Sequence, residues 1–501
     1  MNKINLKTSL ILSFITLFLS ITCYGKSDYD ESKISNKTNR IVKKIEKVNF
    51  LMGSAVGVSG MRPKQFENFE ELKKTASIEE LIMLTNHPNG VVRCYSFWAL
   101  LRLKNIDLFS IVKNHLNDDT IVQTQFGCSG DDEKVGDFYL QLVTTDYEDE
   151  DDSIKLLDKK QLKELDSLLI YSDNKLNMRF NAILMAEPTE ALYPKLRDLV
   201  VKENNQSALV TLAKYKNPND VELILKNRDK DQNDDGESGY FYTFKAIQNF
   251  PDSRFLPFLE KRLNETLDND HYSNEWGELY KAIASYKNEK ALELLTIPFT
   301  KVKHQDIKKY HIDFLYDAIL LNKCKLYDNL LWQIWLEENL ITLEGFKYLI
   351  KLDSSKTYEL SKRKLIPNYQ IKSENTIPVF NESIFTDSLN ETILNFILAN
   401  DKPLAYDIIA NKILETGVLD FEIYCKKASE LKDSYFITPL FKRLKTEWNA
   451  HVYLQIVKTL ISFKDDSINN RILETRKENK NMNKDWGSNS LDEILKKNNI
   501  Q

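Results

Sequence analysis

The chain is short of the residues from which most catalytic and metal centres are built. It has six histidines among 501 residues: His87, His115, His271, His304, His311 and His451. No two stand three or four positions apart, and there is no His-Glu-x-x-His helix, so the spacing gives a zinc site no support. A Gly-x-Ser-x-Gly elbow is also absent. The glycine-rich run Gly53 to Gly60 has no Gly-Lys-Ser/Thr ending and no evident strand before it. It is predicted to be a flexible connector rather than a phosphate loop. Positive charge is in deficit too: 69 Lys and Arg face 74 Asp and Glu, for a net charge of −5. Nucleic acid rewards basic clusters, so this balance argues against it as a partner.

Long apolar runs are missing after the N-terminus. The run Leu10 to Ile21 follows Lys3 and Lys7 and is short of the roughly 20 apolar residues a membrane span needs. Cys23 and Gly25 stand three and one positions before Lys26. Residues 1–25 are therefore expected to be a cleaved signal peptide, with no transmembrane span afterwards. A lipid anchor at Cys23 is the weaker reading, because Ser20 stands where a lipidated cysteine usually has Leu. Cleavage removes two lysines and no acids, taking the charge from −5 to −7. The expected location is the periplasm, the cell envelope or the extracellular space.

Cysteine is equally scarce, with five in all. Cys94 and Cys128 stand one repeat apart, and in an oxidising compartment they could form a disulfide. The alternative is that both are buried small apolar residues. Cys324 and Cys425 are read as core.

What the chain does have is a recurring helical pattern. Ser77 is a candidate N-cap before Glu79 and Glu80, with Leu81, Met83 and Leu84 apolar. Asn86-His87-Pro88-Asn89-Gly90 breaks that helix. A second helix follows, whose stripe through Val92, Tyr95, Ala99 and Leu103 is widened by Phe97, Trp98, Leu100 and Leu101. Asn117-Asp118-Asp119 ends the unit, and Val122 and Gln123 are expected to restart it. Further on, Tyr215, Phe250 and Tyr286 close similar helices at spacings of 35 and 36 residues. Each precedes a polar or Pro turn and another apolar helix, which is the signature of a two-helix repeat.

The run of Pro88, Val92, Arg93, Ala99 and Leu100 over residues 77–123 resembles the HEAT-repeat family. The resemblance implies an all-α fold, a right-handed α-solenoid of stacked antiparallel helix pairs of the armadillo type. It also implies a structural role for Pro88, Arg93 and Trp98, with Arg93 binding the turns between helices. The later repeats match mainly by period.

The expected layout is a polar, frayed segment and capping helices over 26–75, then HEAT-like repeats over 76–200 with an acidic loop at Asp146 to Asp152. A short extended piece is expected around Phe138, Leu140 and Leu142. Central repeats fill 201–366, an irregular loop 367–387, C-terminal helical repeats 388–475 and a polar tail 476–501, whose stretch to about residue 490 precedes a last short helix.

One loop carries a partial metal motif. Asp231, Asn233 and Asp235 alternate before Gly236, like the first half of a calcium loop. Its second half fails, since Tyr242 stands where a bidentate Glu belongs. No other cofactor is indicated. The sequence therefore points to an exported, non-enzymatic scaffold that binds a protein or peptide partner. The rival readings are a calcium-binding structural or adhesion module and an enzyme with its active site on the concave face.

Overall fold

The computed structural model describes residues 29–101, 103–144, 157–226, 231–232, 238–365 and 389–500. The expected signal segment with Cys23, the acidic run 146–152 and the expected loop 367–387 lie outside the described residues. Most of the described chain is helical, and strand is confined to short pieces. The chain forms two compact units, one ending at Pro257 and the other beginning at Phe258.

The first unit opens with α1 (Asn36–Val48), which buries Ile41, Val42 and Ile45. Its start is ordered rather than frayed. Ser35 caps the helix, and its N–H donates to Glu80 Oε1 at 2.7 Å, while the Thr38 hydroxyl donates to Glu80 Oε2 at 3.1 Å. One carboxylate thus ties the N-terminal segment to a later helix, which local polarity could not reveal.

The expected glycine connector is instead a strand, β1 (Leu51–Val56). Leu51 is fully buried, and Gly53 leaves room for the Phe126 ring, which an added Cβ would meet at 2.9 Å. Four helices follow: α2 (Lys64–Thr75), α3 (Ile78–Leu84), α4 (Gly90–Leu100) and α5 (Leu108–Asn114). Residues 121–134 then form a hairpin, β2 (Ile121–Gly127) and β3 (Ser129–Lys134). β2 lies between β1, to which it is parallel, and antiparallel β3.

This overturns the helical restart expected at Val122 and Gln123. The sequence there alternates, with Val122 and Thr124 buried and Ile121 and Gln123 exposed. Alternation of β-branched residues fits a pleated strand better than a helix. The opposite correction applies to Phe138, Leu140 and Leu142. They belong to helix α6 (Val135–Thr144), where nearly every side chain is buried, so a continuous apolar run imitates strand alternation.

Helices α7 (Lys159–Tyr171), α8 (Asn177–Met185), α9 (Leu192–Glu203), α10 (Gln206–Ala213) and α11 (Val221–Lys226) continue the unit. Two very short strands, β4 (Asp231–Gln232) and β5 (Ser238–Gly239), pair before α12 (Phe241–Asn249). Packing follows alternate helices: α4 meets α6, α6 meets α8, α8 meets α10 and α10 meets α12. Helix α10 is buried along its length from Ser207.

Helix α13 (Leu256–Thr266) carries the boundary between the units. The second unit proceeds through α14 (Glu275–Ala284), α15 (Glu289–Thr296), α16 (Pro298–Lys301), α17 (Gln305–Leu321), α18 (Asp328–Glu338), α19 (Leu343–Leu352) and α20 (Ser354–Leu365). It ends with α21 (Leu389–Asn400), α22 (Lys402–Glu415), α23 (Val418–Leu431), α24 (Ile437–Leu444), α25 (Ala450–Ile461), α26 (Asp466–Glu478) and α27 (Asp485–Lys497). Here α22 packs on α24, α23 on α25 and α25 on α27. The expected polar tail is therefore mostly helix, and Met482, Leu491 and Leu495 are buried. Its apolar stripe is narrow, so average composition hid it.

One turn recurs in both units. Lys216, Lys287, Lys432 and Lys464 all adopt left-handed backbone, with φ of 51°, 50°, 49° and 55°. The next residue in each case, Asn217, Asn288, Asp433 or Asp465, caps the following helical turn through its side chain. A left-handed residue ends one helix and an oxygen-bearing side chain starts the next.

Candidate functional site

Arg93 sits on α4 and is almost wholly buried. Its Nη1 donates to the carbonyls of His87 and Pro88 at 2.6 and 2.9 Å. Nη2 donates to Asp118 Oδ1 at 3.1 Å, and Nε lies 2.9 Å from Asp118 Oδ2. The side chain thus joins the Pro88 turn to the Asn117–Asp119 turn. His115 Nδ1 lies 3.3 Å from the same carboxylate. Burial opposes ionisation of Asp118, but the His115 contact and the Arg93 charge outweigh it and bring its pKa down to about 2. Tyr139 covers the other side, donating to the Arg93 carbonyl at 3.0 Å and stacking on Phe97 at 4.0 Å. Each of these groups faces protein, so the arrangement holds turns together.

Trp98 packs against Phe66, Phe69, Phe126 and Phe138, joining helices to the sheet. Cys94 and Cys128 are free thiols. The first is buried and the second exposed, so the possible disulfide is not formed, and of the pair only Cys94 is a buried core residue. The hairpin explains this, because it places Cys128 at the β2–β3 turn instead of in a packed helix. Burial also pushes the Cys94 thiol well up, leaving it unreactive. Of the calcium motif, Asp231 lies in the β4 strand, paired with Gly239, whereas Asn233 and Asp235 lie outside the described residues. Among the described residues no group of three His, Cys, Asp or Glu side chains could hold a metal ion. None of their helices is long and apolar enough to cross a membrane.

The pattern set by Arg93 recurs. Lys214 Nζ donates to the carbonyls of Leu184 and Ala186 at 3.0 and 3.1 Å. The Tyr215 hydroxyl donates to the Thr189 carbonyl at 2.7 Å, and the Tyr327 hydroxyl to that of Ala284 at 3.0 Å. Near the C-terminus, Arg443 donates to the Leu414 carbonyl and pairs with Glu447. Asn479 Nδ2 then donates to the Leu444 and Glu447 carbonyls at 2.7 and 2.8 Å.

These last bonds tie the end of α22 to α24, and the end of α24 to the segment after α26. A bulky apolar side chain is exposed at the start of α23, in the turn before α25 and at the start of α27. Leu419 is 79% exposed, Trp448 75% and Trp486 50%. Trp486 lies against the His451 ring at 4.9 Å. Exposed indoles are suited to contact with another surface. Sequence reasoning did not single out these residues. The signal available to it was a Trp in each of two polar stretches, around Trp448 and Trp486.

No family model, curated protein or solved structure matches the chain.

Proposed function

We propose that the protein is an exported, non-catalytic scaffold, an α-solenoid of HEAT-like helix pairs that binds a protein or peptide partner. The alternate packing of helices within each unit, with side chains clamping one turn to the next, supports the solenoid reading. The observation that carries the binding role is the exposure of three large apolar side chains, Leu419, Trp448 and Trp486, in the C-terminal part of the second unit. Leu419 and Trp486 stand at the starts of α23 and α27, and Trp448 stands in a turn whose Glu447 carbonyl accepts from Asn479, so little ordering entropy would oppose contact.

The test is a photo-reactive amino acid placed at position 448 in the native cell, beside the same substitution at exposed Val201 as a control. A reproducible adduct from 448 that is absent from 201, and is lost on Trp486→Ser, supports the scaffold reading. If position 448 gives no adduct beyond the control, the reading fails.

A further inference from the structure

A second surface, on the second unit, has a different chemistry. A shallow cavity of about 450 Å³ is lined by Lys323, Leu343, Glu344, Lys347, Tyr348 and Lys351. Lys323 comes from the turn after α17. The other five come from α19, where positions 344, 347, 348 and 351 share one face at three- and four-residue steps. Lys323 is paired with Glu344 and stands 5.7 Å from the Tyr348 ring centre. Among the described residues, Lys347 and Lys351 have no ion-pair partner. Three lysines face two carboxylates, Glu344 in the lining and Asp328 on the Tyr348 hydroxyl, which leaves the cavity positive on a chain whose net charge is −5.

The floor is apolar and fixed. The Tyr348 hydroxyl donates to Asp328 Oδ1 at 2.8 Å, which holds the ring in place beside Leu343. That hydroxyl stays neutral: burial and the Asp328 carboxylate push it up to about 12. The lysine stems can lie on this floor with their ammonium groups at the rim.

We infer that this cavity binds an acidic peptide segment, its carboxylates on Lys347 and Lys351 and an apolar side chain on the Leu343–Tyr348 floor. The charge calls for an anion. The apolar floor favours a peptide over a bare oxyanion, which would leave Leu343 and the ring uncovered. The inference rests on the scaffold reading for its partner class but on separate residues, so the two can fail independently.

The probe is a fluorescein-labelled peptide of alternating glutamate and leucine, titrated with the full chain and followed by anisotropy. Saturable binding is expected, weakening as salt rises. Affinity should fall at least tenfold in Lys347→Gln/Lys351→Gln and remain within threefold in Lys347→Arg/Lys351→Arg. Circular dichroism and the melting temperature of both variants should match the parent. Trp448→Ser should leave the affinity unchanged, which separates this cavity from the exposed apolar side chains. Unchanged affinity in the Gln variant overturns the proposal. So does equal binding of an alternating lysine–leucine peptide, or displacement of the probe by inorganic pyrophosphate at equimolar concentration, which would mark a bare anion site.

Discussion

Arg93 illustrates how one side chain can tie two turns together. It has replaced water with two carbonyls and a carboxylate, all in a nearly dry setting. Removing it leaves Asp118 charged and buried without its cation. Arg93→Ala should therefore destabilise the first unit by about 3 kcal/mol, measured by chemical denaturation. The double variant Arg93→Ala/Asp118→Ala should cost less than the sum of the singles, because no orphan charge remains. A fully additive result would show that the pair contributes nothing as a pair.

His311 and His87 make a second prediction at this scale. His311 is buried, stacked on Trp276 at 4.2 Å, with its Nδ1 2.7 Å from the Tyr280 hydroxyl. Burial brings its pKa down from 6.5 to about 4. Burial and then the Arg93 charge do the same to His87, again to about 4. The fold thus favours neutral imidazole, and on acidification the unfolded chain takes up protons first. Stability from these groups is complete above pH 6.5 and is lost as the pH falls towards 4, at up to ~1.4 kcal/mol per pKa unit for each histidine. Melting temperatures should fall across that window, and His311→Phe should show a shallower fall. An identical slope in the variant would exclude His311 as a contributor.

At the scale of the element, turns and glycines set the boundaries. The left-handed lysines end their helices at a cost that glycine would not incur. Lys287→Gly should therefore raise stability by about 0.5 kcal/mol, seen as a higher denaturation midpoint with an unchanged slope. Gly345 on α19 is the reverse case. An added Cβ would overlap the Tyr316 hydroxyl, which accepts the Thr342 N–H at 3.0 Å. Gly345→Ala should cost about 2 kcal/mol, and adding Tyr316→Phe should recover most of it. No recovery would mean that the clash lies elsewhere.

Elements with a wide or regular apolar stripe were legible in the sequence. The α3–α4 pair and its capping serine follow the expected boundaries closely. The aromatics Tyr215, Phe250 and Tyr286 do close helices or the turns just after them. The sheet was not legible, because β1 is a glycine-containing run whose partners lie far along the chain. That run is held extended by its ladder with β2 and by Tyr95, whose hydroxyl accepts from Met52 N–H at 2.8 Å and donates to its carbonyl at 3.0 Å. The lysine cavity was hidden for a simpler reason. Lys347 and Lys351 look like any solvated helix face until Lys323 is folded beside them.

For the whole molecule, two units with locally packed helices imply that damage stays local. Truncation after Lys484 removes α27 and uncovers the part of α25 on which it packs. Hydrogen exchange should accelerate in α25 and stay unchanged in α4, while Arg93→Ala should do the opposite. Combined, the two changes should add within about 0.5 kcal/mol. Faster exchange throughout both units after either change would contradict this picture.

The parallel pairing of β1 with β2 has a consequence in time. Helix pairs can form as soon as their own residues are available, because their contacts are close in sequence. Leu51 must wait for Thr124, its partner in the ladder, with four helices synthesised in between. Until then β1 is an unpaired apolar edge. The sheet at the N-terminal end of the chain therefore cannot close until the hairpin ending at Lys134 has been made, well after the helices between its strands.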